Sequence, residues 1–65
     1  MHINIMAIEE IRKERGYSRK YVAEYLNYTT SAAYSMKVIG KRQFNLNDLL
    51  GLSSLFSVEI TELLK

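Results

Sequence analysis

Arginine and lysine side chains that could bind phosphate groups are concentrated in the middle of this 65-residue chain. Between residues 12 and 42, eight basic residues stand against two glutamates, whereas the segments before and after are each slightly acidic. A basic stretch between acidic ends is typical of a surface that binds a polyanion. On charge alone, a solvated charged surface is an equally good interpretation. The eight basic residues are Arg12, Lys13, Arg15, Arg19, Lys20, Lys37, Lys41 and Arg42.

No set of residues has the spacing of a catalytic or metal centre. Cysteine is absent, and the single histidine, His2, has no partner ligands, so neither a disulfide nor a metal site is expected. We find no nucleophile–base pair, no glycine-rich phosphate loop and no carboxylate pair with a pocket around it. The acidic pairs Glu9–Glu10 and Glu59/Glu62 are interpreted as solvated helix faces. The sequence therefore predicts no enzyme, no cofactor, no metal and no small-molecule substrate.

Chain length limits the protein to one domain, expected over residues 1–65 with residues 1–6 as a flexible arm. A chain of this size buries only about 60% of the surface that it exposes when unfolded, which leaves no room for an enclosed substrate cleft. No apolar run approaches the roughly 18 residues that cross a bilayer, and the first residues lack the basic segment of a secretory signal. We therefore expect a cytoplasmic protein with no membrane partner.

Apolar residues recur at spacings of three and four along the chain, which predicts helices and no strand. Residues that cap helices or adopt left-handed conformations divide the chain into five helical segments. The expected boundaries are a stop at Gly16, a cap at Ser18, a stop at Asn27, a cap among residues 29–31, a stop at Gly40, a capping box of Asn45 with Asp48, and a last helix at about residues 59–64. Because helices this short are marginal in water, we expect one compact, all-α bundle of five helices.

Residues 18–40 have the layout of a helix-turn-helix: a short helix, a tight turn, and a second short helix whose outward face is small and polar. In this motif the second helix enters the major groove of DNA. Ala23 is expected where two steeply crossing helices approach closely, with Val22 and Leu26 facing inward beside it. Helices 2 and 3 of the bundle are thus predicted to form the motif.

The chain resembles the lambda-repressor-like family (Cro/repressor, XRE type) over nearly its whole length from about residue 7. The resemblance lies in residues 8–18 (IEEIRKERGYS), 22–26 (VAEYL), 33–44 (AYSMKVIGKRQF) and 52–64 (LSSLFSVEITELL). These match the family's first helix, its leucine-alanine…leucine signature, the end of its recognition helix with the loop that follows, and its closing helices. The resemblance implies a sequence-specific DNA-binding regulator of transcription, a small repressor of the phage or mobile-element type.

The chain departs from the family's pattern at several positions. Between Leu26 and Tyr34 it is one residue longer than the usual turn, which leaves the register of the recognition helix open by one position. The other departures are Asn27 and Ser57 where the family prefers glycine, Val38–Ile39 in place of a common Glu–Asn pair, and Arg19 where a glutamine usually contacts the DNA backbone.

The DNA contacts predicted from this layout and resemblance form two groups. The residues expected to face base edges are Thr30, Ser31, Ala32, Ser35 and Met36. The residues expected at phosphates are Arg19, Lys20, Tyr28, Thr29, Lys37, Lys41 and Arg42. Serine hydroxyls read bases less decisively than longer polar side chains do, so we expect modest direct readout with a contribution from DNA shape. Arg19 and Lys20 begin a helix, where the macrodipole disfavours cations, and this favours a phosphate docked there.

One domain of this kind contacts too few bases for useful specificity, so we expect a weak homodimer on a two-fold symmetric DNA site. The expected dimer contacts are apolar residues near the chain ends, which could equally complete the core: Ile3, Ile5, Ile60, Leu63 and Leu64. An alternative function is a protein-interaction module on the same fold, antirepressor-like or antitoxin-like, which the apolar Val38–Ile39 pair favours. RNA binding is disfavoured because the tyrosines fall mostly at core spacing.

Overall fold

A computed structural model describes residues 2–64 of the chain. Within this range the chain forms four α-helices, α1 (Ile5–Glu14), α2 (Arg19–Tyr25), α3 (Ser31–Val38) and α4 (Leu46–Phe56), followed by a 3-10 turn (Ile60–Leu63). No strand occurs between residues 2 and 64, so the prediction of an all-α fold is confirmed. No helix in this range is long and apolar enough to cross a lipid bilayer.

The prediction of five α-helices is wrong, because the last segment is a single 3-10 turn. Its hydrogen bonds join residues three apart, from the Glu62 N–H to the Glu59 carbonyl (2.9 Å) and from the Leu64 N–H to the Thr61 carbonyl (3.2 Å). Hydrogen bonds between residues three apart define a 3-10 helix, and this one is only four residues long. The buried side chain of Leu63 fastens this turn to the rest of the core.

Side-chain caps begin α2 and α4 where the sequence predicts them. The Ser18 hydroxyl accepts a hydrogen bond from the Tyr21 N–H (3.0 Å). Asn45 and Asp48 form a reciprocal capping box, each side chain accepting from the other's backbone N–H at 2.8 Å. The predicted side-chain cap among residues 29–31 is wrong, because Thr30 is the N-cap residue of α3 and its side chain accepts no cap hydrogen bond.

The first helix begins earlier than the sequence predicts. α1 starts at Ile5, inside residues 1–6, which are predicted to be an arm. The Asn4 backbone N–H donates to the Leu63 carbonyl (2.8 Å), which joins the start of α1 to the 3-10 turn. Of the predicted arm, the structure therefore describes only residues 2–4 as preceding the first helix, and Met1 lies outside the described range.

Each α-helix is followed by a residue in the left-handed conformation: Gly16 (φ 76°), Asn27 (φ 63°), Gly40 (φ 87°) and Ser57 (φ 57°). The predicted stops at Gly16, Asn27 and Gly40 are confirmed. Asn27 and Ser57 stand where glycine would adopt this conformation without steric cost, and asparagine is the better tolerated of the two. The backbone at these two positions thus adopts a turn geometry that usually favours glycine.

Every element contributes at least one side chain to a single core, and α2 and α3 pack against each other most extensively. Val22 and Ala23 face inward as predicted, with Ala23 only 1% exposed. The buried hydrophobic residues are Ile8, Val22, Ala23, Tyr34, Phe44, Leu49, Leu52, Phe56 and Leu63.

The apolar residues near the chain ends pack into or against this core. Leu63 is fully buried. The other four predicted dimer contacts are partly buried and packed against the core: Ile3, Ile5, Ile60 and Leu64. A dimer contact through these partly exposed side chains stays a prediction.

Candidate nucleic-acid interface

The exposed face of α3 is made of small side chains. Thr30, Ser31 and Ala32 are exposed at the N-terminal end of the helix, and Met36 is 36% exposed farther along it. Because α3 has no side-chain cap, its first backbone N–H groups have no side-chain partner among residues 2–64. A helix with short side chains at its exposed start can approach a groove or a flat surface closely.

Ser35 differs from the other predicted base-facing residues because it is half-buried and already occupied. Its hydroxyl oxygen accepts a hydrogen bond from the Arg19 guanidinium at 3.3 Å. The same guanidinium donates to a carboxylate oxygen of Glu9 at 3.1 Å, and the Arg19 side chain remains 43% exposed. Arg19 is thus held beside the middle of α3, with part of its guanidinium facing solvent.

Glu9 on α1 is the centre of this arrangement. Its carboxylate accepts two hydrogen bonds from Arg12 (2.9 and 3.1 Å), one from the Tyr34 hydroxyl (2.7 Å) and one from Arg19 (3.1 Å). Burial would raise the pKa of Glu9, but the hydrogen bonds from Arg12, Tyr34 and Arg19 outweigh it and lower the pKa to about 2. The carboxylate therefore stays ionised and joins α1, α2 and α3.

The interpretation of Glu9 as part of a solvated helix face is wrong. Its side chain is only 13% exposed, because α1 packs with this face toward Tyr34 on α3. Its partner Arg12 is buried and also donates to the Tyr17 carbonyl at 2.7 Å. The spacing of Glu9 and Arg12, three residues apart on a helix, was the one signal in the sequence for this ion pair.

The ion pair with Glu9 explains how a cation can begin α2. Arg19 lies in the first turn of the helix, where the positive end of the macrodipole disfavours it. Glu9 supplies a neighbouring negative charge, the role that the sequence predicts for a bound phosphate. Lys20 is exposed beside it. A phosphate at this point remains a prediction, and it would share Arg19 with Glu9.

Two of the predicted phosphate ligands have their polar groups inside the domain, and these two predictions are wrong. The Lys37 ammonium lies 2.6 Å from the Asp48 carboxylate, and the two side chains are 12% and 7% exposed. It also lies 4.5 Å from the centroid of the Tyr28 ring. The Tyr28 hydroxyl is also buried, and its pKa is raised by burial and by the nearby Asp48 carboxylate. The Lys37 side chain thus joins α3 to α4, with the Tyr28 ring beside its ammonium group.

The second ion pair also lowers the pKa of Asp48. Burial would raise it, but hydrogen bonds, first among them the one from Lys37, hold it below the ordinary value. Because Asp48 also accepts the backbone N–H of Asn45, it fixes the start of α4 while it neutralises Lys37. Lys37 is therefore a structural residue of the α3–α4 connection.

The loop after α3 carries two exposed cations, Lys41 and Arg42. Their backbone N–H groups both donate to the carbonyl of Met36, at 2.9 and 3.2 Å. These hydrogen bonds hold the loop against the last turn of α3. Arg19 thus lies beside the middle of α3, and these two cations follow its C-terminal end.

The predicted site residues fall into three groups by accessibility. Nine are exposed around α3: Arg19, Lys20, Thr29, Thr30, Ser31, Ala32, Met36, Lys41 and Arg42. Ser35 is half-buried, and Tyr28 and Lys37 have buried polar ends. We name the nine exposed residues the α3 surface.

Comparison with known proteins gives one match. A family model described as helix-turn-helix matches residues 8–63, which include most of α1 and every later element. No curated protein and no solved structure matches the chain. The matched range contains both helices of the motif and all nine residues of the α3 surface. The chain belongs to the XRE-type, lambda-repressor-like helix-turn-helix family of DNA-binding regulators.

Proposed function

We propose that the protein is a sequence-specific transcriptional repressor of the small phage or mobile-element type, with residues 1–65 acting as one DNA-binding domain. It binds double-stranded DNA as a weak homodimer on a two-fold symmetric site. The observation that carries this proposal is the α3 surface, where exposed small side chains of α3 are accompanied by Arg19, whose side chain the fold holds, and by the exposed cations Lys41 and Arg42.

Phosphate contacts would set the position of the domain on DNA, because they are independent of base sequence. Arg19 is preorganised for such a contact by Glu9 and Ser35, so little side-chain freedom is lost when it meets a phosphate. The backbone N–H groups of Lys41 and Arg42 are hydrogen-bonded to the Met36 carbonyl on α3. The helix and these two cations would therefore approach the duplex together.

The side chains of α3 that could contact bases are few and mostly short. Thr30 and Ser31 offer hydroxyl groups, whereas Ala32 and Met36 offer apolar contact of the kind that thymine methyl groups accept. Such a surface discriminates less by hydrogen bonds than one with glutamine, asparagine or arginine. We therefore expect phosphate contacts to supply most of the affinity and DNA shape to supply part of the specificity.

A second candidate function is a protein-interaction module on the same fold, in the manner of an antirepressor or antitoxin. Ile39 favours it, because this apolar side chain is 64% exposed directly after the recognition helix. Salt dependence separates the two functions. Binding through several phosphates weakens steeply as salt rises, whereas an apolar contact between proteins does not.

The proposed function is tested by Arg42→Ala on a duplex that the wild-type protein selects from random DNA. We expect weaker binding to every sequence alike and a salt slope about 0.9 units shallower, because one phosphate contact is lost. Lys13→Ala is the matched control, since Lys13 is an exposed cation of α1 outside the α3 surface. Equal affinity and slope in wild type and Arg42→Ala would remove the proposed contact, and an effect of equal size in Lys13→Ala would make it non-specific.

Base preference is expected to depend on Ser31 and Met36. Ser31→Ala and Met36→Ala should each change the selected motif at one position, by roughly 1–3 kcal/mol, with little effect on non-specific DNA. Ser35→Ala should change it less, because this hydroxyl is held by Arg19. Thr61→Ala, an exposed position in the 3-10 turn, serves as control. Repeating the selection with each variant checks this, and an unchanged motif in both Ser31→Ala and Met36→Ala would contradict it.

A further inference from the structure

An exposed, uncharged surface runs across α2 and α4 and shares no residue with the α3 surface. It consists of Tyr21, Tyr25, Leu46, Leu50 and Ser54, and we call it the α2–α4 strip. The two tyrosines are 48% and 44% exposed, and the two leucines 55% and 52%. Neighbours on each helix are four residues apart and so share one face. The Tyr25 hydroxyl lies 3.3 Å from the Ser54 hydroxyl, which joins the two rows into one surface.

The α2–α4 strip lacks the charges that a solvated helix face usually carries. The single charged residue of α4 is Asp48, and it is buried. The strip is also stiff, because the Tyr21 ring stacks on Tyr17 (5.1 Å between centroids) and Tyr17 stacks on the buried Phe56 (6.2 Å). Contiguous apolar surface on a small protein marks an interaction site, and fixed aromatic rings bind at low entropic cost.

We propose that two copies of the chain meet through the α2–α4 strip, an inference that rests on the proposed function, in which two copies bind one symmetric site. A two-fold interface brings the same surface of each copy together, so a charged strip would oppose like charges. This strip carries none. The Tyr25 and Ser54 hydroxyls can each donate and accept, so they can pair with the same groups of a second copy.

The charges beside the strip on α2 also fit a second copy. Lys20 and Glu24 flank Tyr21 and Tyr25, are exposed, and have opposite signs, so the rim adds no net repulsion between two copies. No residue of the strip belongs to α3 or to the loop of Lys41 and Arg42. Lys20, at the rim, is the residue that the contact shares with the α3 surface.

The area of the strip indicates a weak dimer. Four apolar side chains, each about half exposed, offer on the order of 400 Å² per copy, the size of a functional surface patch on a small protein. Two such patches bury about 800 Å², below the roughly 1,200–2,000 Å² of stable complexes. DNA that holds two copies side by side raises their effective concentration and completes the contact. The dimer should therefore be clearest as cooperativity on DNA.

Leu50→Lys tests the strip, with Met6→Lys as the matched control because Met6 is 75% exposed on α1. Each protein is titrated onto a duplex with one selected half-site and onto a duplex with two. We expect wild type and Met6→Lys to bind the two-site duplex cooperatively. Leu50→Lys should bind it at least tenfold more weakly while it binds the single half-site as wild type does. Leu46→Lys is an independent second variant, and thermal unfolding of each confirms that it folds.

Cooperativity that survives in both Leu50→Lys and Leu46→Lys would overturn the proposal, as would an equal loss in Met6→Lys. A wild-type protein that stays monomeric both on DNA and free in solution would also overturn the proposal that two copies meet through the strip. If no duplex is bound, the proposed function fails. The proposed contact through the strip can still be tested by sedimentation of the free protein at concentrations up to about 1 mM. Self-association that Leu50→Lys removes would support the strip, and its absence would contradict it.

Discussion

Glu9→Gln is expected to destabilise the domain by about 3 kcal/mol, a large part of the few kcal/mol that stabilise a domain of this size. The substitution keeps the shape of the side chain but removes its charge, which leaves the buried guanidinium of Arg12 without its anion. It also weakens the acceptor of the Tyr34 hydroxyl and of Arg19. Denaturant unfolding measures the effect.

The control for Glu9→Gln is Glu10→Gln, the same substitution at the next residue, which is exposed. Surface changes of this kind stay within about 0.5 kcal/mol. A free energy of unfolding that falls equally in both variants, or in neither, would contradict the role given to Glu9.

The lowered pKa of Glu9 also predicts how the free energy of unfolding depends on pH. The pKa of Glu9 falls from an ordinary 4.5 to about 2 on folding, so between these values the unfolded chain binds more protons than the folded one. The stabilisation is complete above about pH 4.5 and is lost as the pH falls toward 2. Asp48, whose pKa is also lowered, acts in the same direction. In Glu9→Gln, the loss of stability over this range should be smaller than in wild type.

Ala23→Leu is expected to unfold the domain or to destabilise it severely. Ala23 on α2 is 1% exposed in the core, and α2 packs most extensively against α3, so three added carbon atoms must displace their neighbours. Overpacking of this kind costs about 1–3 kcal/mol, and the total stability of so small a domain is only a few kcal/mol. Because α2 positions Arg19, binding to DNA should be lost together with the fold.

Ala32→Leu is the matched control for this second prediction. It adds the same atoms to an exposed position at the start of α3 and should leave thermal unfolding nearly unchanged. A normal melting curve for Ala23→Leu would refute the close crossing of α2 and α3 on which the helix-turn-helix assignment depends.

Local features of the fold could be predicted from the sequence because they depend on neighbouring residues. Ser18 and the Asn45–Asp48 box cap helices by hydrogen bonds across three residues, and Gly16 and Gly40 end helices by their own conformational freedom. The inward face of α2 followed from spacing alone. The 3-10 turn could not be separated from an α-helix, since the two differ by one residue in hydrogen-bond spacing.

The burial of Glu9 and the pairing of Lys37 could not be predicted, because both depend on how the helices pack. Glu9 meets Tyr34 across 25 residues of sequence, and Lys37 meets Asp48 across 11. The sequence alone cannot distinguish a lysine that faces a phosphate from one that faces an aspartate. The sequence therefore predicts Lys37, Lys41 and Arg42 together at the DNA surface. Only the fold shows that Lys37 is paired inside the domain whereas the other two are exposed.

The central claim, that the α3 surface recognises DNA, is tested most directly by selection from a pool of random duplexes at moderate salt. We expect enrichment of one motif in two related halves centred about 10 base pairs apart, one turn of DNA. Arg42→Ala should enrich the same motif with lower affinity, whereas Met36→Ala should enrich an altered one. A pool that stays random after repeated rounds at low salt, where phosphate contacts are strongest, would contradict the account.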